Sequence, residues 1–554
     1  MATRAQSSRS PRSLAGAIAR GATAHAPFLI VFVPLAIAAL VIGLVHPFGP
    51  GQDYHYHVMC AALTERIWSG DAFYTRLYKM VNPLDSNTLL YTALFPLEKV
   101  LSPIDAMRVG LSFFYFLAYP VACAVALRIV RRPLWGALLA FPLAYCKSWS
   151  GGGYLPFLTS APLMVLVAAM LQRILVPPRE TGTGGPTTPS RGFLGAAAAT
   201  SVLLSLAHAH VYAWTMFLFA TITVVVIVRD FAGEGLRDPR GAVRSAVRTG
   251  ARMLAAVGPS VALFLWWYVR KHAGAREAHS KELVVVHESW HDRIGGALAY
   301  LLQATGDLEF AFVGAFVVVC LATLLVSERV AARRVPVLEL AFLFTLVSYV
   351  LLPLSVSLHG IAPRNFDMAM WLLPLVLYPR VAKGAPVRHV AIVVALLSFA
   401  VLRLGYLSRQ SGRLQEELAG LHALSKDCPP PHHELAYVSM EMHSKHWYAP
   451  TFHHVAETLA ASCRLDAPVY DPTDYTYSIN PVRYIGAPPA PPTYVHDDPT
   501  WYAQEDLWRG YEYVLVHAWK PTTDQLAGAN AVAERIRVAG SNGEWAVWRR
   551  RAKP

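Results

Sequence analysis

The feature that constrains this chain most is a series of long apolar stretches, each about as long as a helix that crosses a lipid bilayer. Such a helix needs about 20 mostly apolar residues, and the core of a soluble domain explains one such stretch but not a whole series. We therefore predict a polytopic α-helical membrane protein with about 11 transmembrane helices. The predicted spans lie at 27–46, 105–128, 133–147, 154–173, 193–208, 210–228, 252–270, 309–326, 337–358, 365–380 and 388–406.

The arginines lie in short clusters between these stretches. The chain of 554 residues is only 15% charged, yet its formal net charge is +13, a value that can accompany nucleic-acid binding. Because the clusters fall on alternate connections, we attribute the charge to membrane topology and predict no nucleic-acid partner. The positive-inside rule places the N-terminus in the cytoplasm, and an odd number of spans places the C-terminal region outside the inner (cytoplasmic) membrane.

These spans divide the chain into three predicted parts. Residues 1–26 form a cytoplasmic tail, and residues 27–406 form the transmembrane domain with a long outer connection at 47–104. After about residue 410 the pattern changes to short strand-like and helical segments, which predicts an extracytoplasmic α/β domain over 410–554. Cys428 and Cys463 could form a disulfide bond there, and His453 and His454 are expected to be surface residues.

Two segments of the outer connection show the helical spacing of apolar residues. They are Tyr54–Trp68, in which Thr64, Glu65 and Arg66 form the polar side, and Asn87–Leu101. Both patterns predict helices that lie in the membrane interface.

The densest group of polar side chains follows the first apolar stretch directly, in Gly51-Gln-Asp-Tyr-His-Tyr-His57. Asp53 and His57 are four residues apart, so their side chains share a face if Asp53 opens a helix. A carboxylate here can act as general base on an acceptor hydroxyl, or it can bind a divalent cation together with the imidazole. The alternative is structural, because an Asp after Gly51 can cap the helix that follows.

The position of this motif resembles the GT-C superfamily of membrane glycosyltransferases, many of whose bacterial members carry G-x-D-x-x-[FY]-H after the first span. Members use polyprenyl-phosphate-linked sugars; they include protein O-mannosyltransferases, aminoarabinose transferases and oligosaccharyltransferases. The resemblance implies that Asp53 is the catalytic base or a metal ligand. Many members have two adjacent acidic residues here, whereas this chain has Gln52 beside Asp53, which leaves metal dependence open.

A polyprenyl-phosphate donor requires cations or hydrogen-bond donors near Asp53. Arg364 is the main candidate, since it lies at the mouth of a span in a Pro-Arg pair that resembles one common in the superfamily, and a guanidinium can bind phosphate bidentately. The alternative for Arg364 is contact with lipid headgroups. His208 and His210, at a tight turn between two apolar stretches, and Lys79 are further candidates for donor binding.

We therefore expect an integral membrane glycosyltransferase that moves a sugar from a polyprenyl-phosphate donor to a glycan, lipid or protein acceptor on the extracytoplasmic face. Three other functions stay open on the sequence. A cell-envelope polysaccharide ligase or polymerase outside GT-C would use Arg and His rather than Asp53. A transporter or flippase of lipid-linked glycans would show repeats and charges at mid-membrane, whereas the polar residues here lie at span ends. A non-enzymatic envelope protein would have lost the second acid.

Overall fold

The structure is a computed structural model, and it describes the chain in segments. The predicted tail at 1–26 lies almost entirely outside them. The described residues are 25–80, 82–144, 154–177, 188–232, 238–274, 285–294, 308–326, 336–356, 359–378, 386–441, 443–447, 451–452, 454–466, 482–485, 511–518 and 526–552.

Most of the described chain is helical. The helices are α1 (Ala26–Val45), α2 (Tyr54–Trp68), α3 (Ala72–Leu77), α4 (Leu89–Glu98), α5 (Pro103–Ile129), α6 (Leu134–Leu143), α7 (Leu155–Leu175), α8 (Arg191–Ala207), α9 (Ala209–Asp230), α10 (Pro239–Gly274), α11 (Leu308–Val326), α12 (Val337–Leu351), α13 (Ile361–Val376), α14 (Pro386–Glu417), α15 (Ala419–Lys426), α16 (Val455–Cys463) and α17 (Ala527–Val532). The strands are β1 (Tyr78–Met80), β2 (Val285–Val286), β3 (Ser355–Val356), β4 (His359–Gly360), β5 (Leu435–Ser439), β6 (Val482–Tyr484), β7 (Tyr513–His517), β8 (Ala533–Ala539) and β9 (Trp545–Arg550).

Within the described residues, six helices are long and apolar enough to cross a membrane: α1, α5, α7, α9, α10 and α14. The predicted spans at 133–147, 193–208, 309–326 and 337–358 correspond to shorter apolar helical segments in α6, α8, α11 and α12. The predicted multi-pass membrane character is confirmed, while the number of eleven spans stays a prediction.

The helix α2 has the bounds that its apolar spacing predicts, Tyr54–Trp68. Its surroundings differ from the expectation, because Thr64 and Arg66 of the predicted polar side are buried. They are buried because α16, from the C-terminal part of the chain, packs along α2 on one side while α4 packs on another. The helix is therefore enclosed by protein, and its polar groups bind other parts of the chain.

The C-terminal part contains a four-stranded sheet in the order β5-β7-β9-β8. β5 and β7 are parallel, and the other two pairs are antiparallel. All residues of β5 and β7 are buried, and the turn Ser541-Asn-Gly543 joins β8 to β9, with Gly543 at a φ of 70°. Short strands are thus present in the region after residue 410, whereas a separate extracytoplasmic α/β domain stays a prediction.

Side-chain bonds to the backbone hold the C-terminal part on the connection that follows α1. Arg66 donates to the carbonyl of Ala461, and the Tyr74 hydroxyl donates to the carbonyl of Leu465 at 3.1 Å. The hydroxyl of Thr451 donates to the carbonyl of Pro50 at 3.0 Å, three residues before Asp53. The relative position of the two parts is therefore specified by directional bonds as well as by apolar packing.

Cys428 and Cys463 form a disulfide that joins the end of α15 to the end of α16. The sequence had indicated this pairing only as a possibility.

We expect the Cys428→Ser variant to unfold at lower temperature, with the C-terminal part destabilised by about 2–4 kcal/mol, because the bond closes a loop of 35 residues. Thermal unfolding of the purified protein measures this, and Cys320→Ser, which changes a free cysteine, is the control. Equal melting temperatures for wild type and Cys428→Ser would contradict the prediction.

Candidate active site

Asp53 stands directly before α2, where an Asp side chain often caps a helix. Its backbone carbonyl accepts a helical hydrogen bond from the His57 N–H at 3.0 Å, but its carboxylate makes no capping bond. The side chain is 26% exposed. The capping alternative is therefore wrong for the side chain, and the carboxylate is available for other interactions.

The segment that carries Asp53 is held by the long helix α14. The Phe48 N–H donates to Oε1 of Gln415, and Nε2 of Gln415 donates back to the Phe48 carbonyl, both at 3.1 Å. The Tyr54 hydroxyl donates to the carbonyl of Pro47 at 2.7 Å. These bonds fix the backbone of the turn before α2. The backbone position from which the Asp53 side chain extends is therefore set by rigid elements.

Burial and two charged groups act on the pKa of the Asp53 carboxyl. Burial raises the pKa of Asp53 to about 7, the positive charge of Arg364 opposes that rise, and the carboxyl of Glu457 adds to it. Asp53 therefore exchanges its proton near neutral pH, which suits a group that must accept a proton and release it in each turnover.

His57 lies on the same helix as Asp53 and is buried. Its Nδ1 forms a hydrogen bond of 2.6 Å with the Tyr91 hydroxyl of α4. Burial, together with the nearby His454, lowers the pKa of His57 to about 3, so the imidazole is neutral at physiological pH. In the described part of the chain no group of three His, Cys, Asp or Glu side chains is arranged to hold a metal ion.

Arg364 lies in the first turn of α13. Its guanidinium carbon stands 4.7 Å from the centre of the Tyr154 ring, at the start of α7, and its buried Nε has no hydrogen-bond partner among the described residues. Its charge acts on Asp53, so the predicted base and the predicted phosphate ligand lie near one another. A guanidinium with an unused donor beside a carboxylate can bind an anion such as a phosphate.

His208 and His210 lie at the junction of α8 and α9, next to the start of α13. The Nδ1 of His208 accepts a hydrogen bond from the Val211 N–H at 3.4 Å and caps α9. The Nε2 of His210 bonds to Oδ1 of Asn365 at 2.9 Å, and Asn365 directly follows Arg364. Both imidazoles thus have a structural partner, which for His210 directly follows Arg364, and their part in donor binding stays a prediction.

Lys79 lies in the middle of β1, which pairs with β6. Its side chain is exposed, whereas the neighbouring Tyr78 is buried and donates a hydrogen bond of 2.5 Å to Oδ1 of Asp466. Lys79 therefore stands on the open face of a two-stranded ribbon, and its part in donor binding also stays a prediction.

Two buried residues near Asp53, His454 and Glu457, were not predicted as site residues from the sequence. His454 is 3% exposed and Glu457 is 1% exposed, so the prediction that His454 is a surface residue is wrong, while His453 lies outside the described residues. His454 Nε2 lies 3.9 Å from Oδ1 of Asp53. The His-x-x-Glu spacing across the first turn of α16 could have indicated a paired imidazole and carboxylate.

A second missed pair lies where the connection before α4 meets α8 and α9. Asp85 is buried and forms an ion pair with Arg270 at the end of α10. Its neighbour Ser86 donates to the carbonyl of Ser205 at 2.7 Å. The guanidinium carbon of Arg270 also stands 4.7 Å from the Trp266 ring. This pair adds a second arginine near the predicted donor-binding histidines.

None of the family models compared with the sequence matches it, and no curated protein matches it either. The fold, in contrast, is similar to that of a solved structure over nearly the whole chain, which supports, at the level of the fold, the resemblance drawn from the motif and its position.

Solved structures that are similar to this chain include two of ArnT from Cupriavidus metallidurans. The crystal structure of ArnT bound to undecaprenyl phosphate has a TM-score of 0.52 and 13% sequence identity, over 94% of this chain and 98% of that chain. The apo state of ArnT has a TM-score of 0.49 and 13% identity, over 95% and 98% of the two chains. At this identity the similarity concerns the fold and not individual residues.

Proposed function

We propose that this protein is an integral membrane glycosyltransferase that transfers a sugar from a polyprenyl-phosphate donor to an acceptor on the extracytoplasmic face of the inner membrane. The fold shared with a solved ArnT structure that holds undecaprenyl phosphate supports a lipid-phosphate partner. The disulfide between Cys428 and Cys463 supports an oxidising location for the C-terminal part, because such bonds persist outside the cytoplasm.

The proposal is carried by an uncapped Asp53 carboxylate, whose pKa is raised by burial and lowered by the charge of Arg364, and by an Arg364 Nε that is unpartnered among the described residues. Asp53 accepts the proton of the acceptor hydroxyl as its oxygen attacks the anomeric carbon. Arg364 neutralises the charge that develops on the leaving phosphate. His57, bound to Tyr91, stays neutral, and its proposed catalytic part is to orient Asp53 or to join the site.

Other predicted residues have supporting parts. His208 and His210 stand at the junction of α8 and α9, where His210 bonds to Asn365 at the start of α13, and imidazole N–H groups can donate to phosphate oxygens. Lys79, on the open ribbon, is placed to attract the anionic donor. Glycans, lipids and proteins are all compatible acceptors, and membrane lipids surround the helical body.

The test is transfer of label from a set of radiolabelled polyprenyl-phosphate sugars in membranes that contain the wild-type protein. We expect label to move from at least one donor into a membrane or envelope product. A parallel sample with chelator decides whether a divalent cation held by Asp53 and His57 takes part. Absence of transfer from every donor would contradict the proposal and favour a transporter or a non-enzymatic envelope protein.

The pH dependence of transfer follows from the pKa of Asp53, about 7. The carboxylate is the active form of a general base, so kcat/KM should rise with pH up to about 7 and fall about tenfold per unit below it. Measuring kcat/KM between about pH 5 and pH 9 tests this. Glu98→Gln is the control, since burial raises the pKa of Glu98 to about 8 and its charged neighbours are Arg66 and Glu65. A flat profile, or one that moves with Glu98→Gln, would contradict the assignment.

A further inference from the structure

The C-terminal part of the chain brings an imidazole and a second carboxylate to Asp53. His454 Nε2 lies 3.9 Å from Oδ1 of Asp53, and its other ring nitrogen, Nδ1, lies 3.0 Å from Oε1 of Glu457. Both His454 and Glu457 are buried. One imidazole thus stands between two carboxylates that come from opposite ends of the sequence.

This arrangement has a cost for folding. A buried carboxylate is unfavourable unless its oxygens are paired, yet Oε2 of Glu457 has no hydrogen-bond partner among the described residues. Burial raises the pKa of Glu457 well above its ordinary value. A glutamine of nearly the same shape would fill the same space without a titratable group, so packing alone does not account for an acid here. Perturbed carboxyls next to a reacting group are typical of functional sites.

The groups that face His454 leave it as the proton acceptor next to Asp53. His55 and His57 lie on α2, and burial with the nearby His454 lowers the pKa of both to about 3, so neither takes a proton near neutral pH. The Tyr56 ring lies 5.8 Å from the His454 ring. Arg364 is a cation that acts on Asp53, and it carries no acceptor.

We propose that His454 and Glu457 form a proton-accepting pair that returns Asp53 to its carboxylate form in each turnover. The inference rests on the proposed function. In transfer, the acceptor oxygen forms a bond to the anomeric carbon, the bond from that carbon to the phosphate oxygen breaks, and the phosphate keeps the electron pair. The acceptor proton goes to Asp53 and then to Nε2 of His454. Glu457 accepts the hydrogen bond from Nδ1–H and stabilises the imidazolium until the proton reaches bulk water.

The distances allow this transfer after a small movement. The gap of 3.9 Å between Asp53 and His454 exceeds a hydrogen bond by about 1 Å. Because the Asp53 side chain is uncapped, rotation about its own bonds can close the gap, and such distances often shorten when substrate binds. His454 is less free, since Glu457 holds it and α16 is fixed to α2 by a bond of 2.7 Å between Thr458 and His55.

The test uses His454→Ala and Glu457→Gln in the full-length membrane protein. Both variants should lower kcat by roughly 10²-fold with little change in the KM for the donor, because the pair acts on the proton and not on donor binding. Added imidazole should restore much of the rate of His454→Ala. Thr458→Val is the matched control: it changes the same helix and the same interface through the bond to His55, and we expect its kcat to stay near that of the wild type.

Two kinetic outcomes would overturn the inference. One is a wild-type kcat in both His454→Ala and Glu457→Gln. The other is an equal loss in Thr458→Val with no rescue by imidazole, which would make His454 and Glu457 a docking contact only.

A measurement without turnover separates this inference from the proposed function. Nitrogen-15 spectra of histidine-labelled protein report the protonation of each ring nitrogen, and the spectrum of His454→Ala identifies the signals of His454. We expect Asp53→Asn to shift these signals. If the wild type transferred no sugar, the proposed function would fail. If the His454 signals were the same in wild type and Asp53→Asn, the proton-accepting pair would be overturned, whatever the result of the transfer assay.

Discussion

Asp53→Asn is expected to lower kcat for sugar transfer by about 10³-fold or more while the protein stays folded. The amide has nearly the shape of the carboxylate but cannot accept the acceptor proton. Folding should not suffer, because the Asp53 side chain makes no capping bond and its pKa is raised by burial. An acid whose pKa is raised in the folded state contributes stability in its protonated form, and this contribution is lost as pH rises from about 4 towards about 7. The asparagine variant should therefore melt at the wild-type temperature or above it at neutral pH.

Asp71→Asn is the matched control for this variant. Asp71 stands on the same connection and directly before a helix, and unlike Asp53 it does cap that helix, by accepting from the Phe73 N–H at 3.0 Å. Asparagine can cap as well, and the lost ion pair with Arg464, whose side chain is 55% exposed, is worth little. Asp71→Asn should transfer sugar at nearly the wild-type rate. Equal rates for wild type and Asp53→Asn would remove the general-base assignment and favour an Arg- and His-dependent ligase.

Arg364→Ala should have the second-largest effect, a loss of roughly 10²–10³-fold in kcat/KM for the donor. The guanidinium supplies a charged donor for the leaving phosphate, and Arg364→Lys should recover only part of the loss because an ammonium cannot bind phosphate bidentately. A second effect follows from electrostatics. The charge of Arg364 lowers the pKa of Asp53, so its removal should move the acid limb of the pH profile to higher pH.

Arg76→Gln separates this prediction from a general effect of positive charge. Arg76 is an exposed arginine in α3, on the same connection as Asp53, and we expect its replacement to leave both the rate and the acid limb in place. An Arg364→Ala variant that keeps the wild-type kcat/KM would instead support the alternative of a headgroup contact.

Local sequence patterns predicted the elements well and the contacts between distant elements poorly. The bounds of α2 follow from apolar residues at helical spacing, a signal contained within the segment itself. The burial of Arg66 and Thr64 could not be predicted in the same way, because it depends on α16 packing on α2. Position along the chain carries no information about such docking.

The candidate site also contains residues that local sequence patterns predict and residues that they do not. Asp53 and Arg364 could be found because each lies at a span end within a short motif. Glu457 could not be found in this way. A second acid was expected beside Asp53, where the chain has Gln52. The second carboxylate comes instead from α16 by way of His454. Two partners from opposite ends of a chain share no local pattern, so only the folded structure brings them together.

The most direct measurement of the central claim, that Asp53 and Arg364 serve one donor site, is an experimental structure of the protein with undecaprenyl phosphate bound. We expect the phosphate oxygens about 2.7–2.9 Å from the Arg364 guanidinium, with the Asp53 carboxylate facing the same space. A phosphate bound elsewhere, for example in the cleft lined by Arg128, Arg131 and Arg132 at the far end of α5, with none beside Arg364, would contradict the claim.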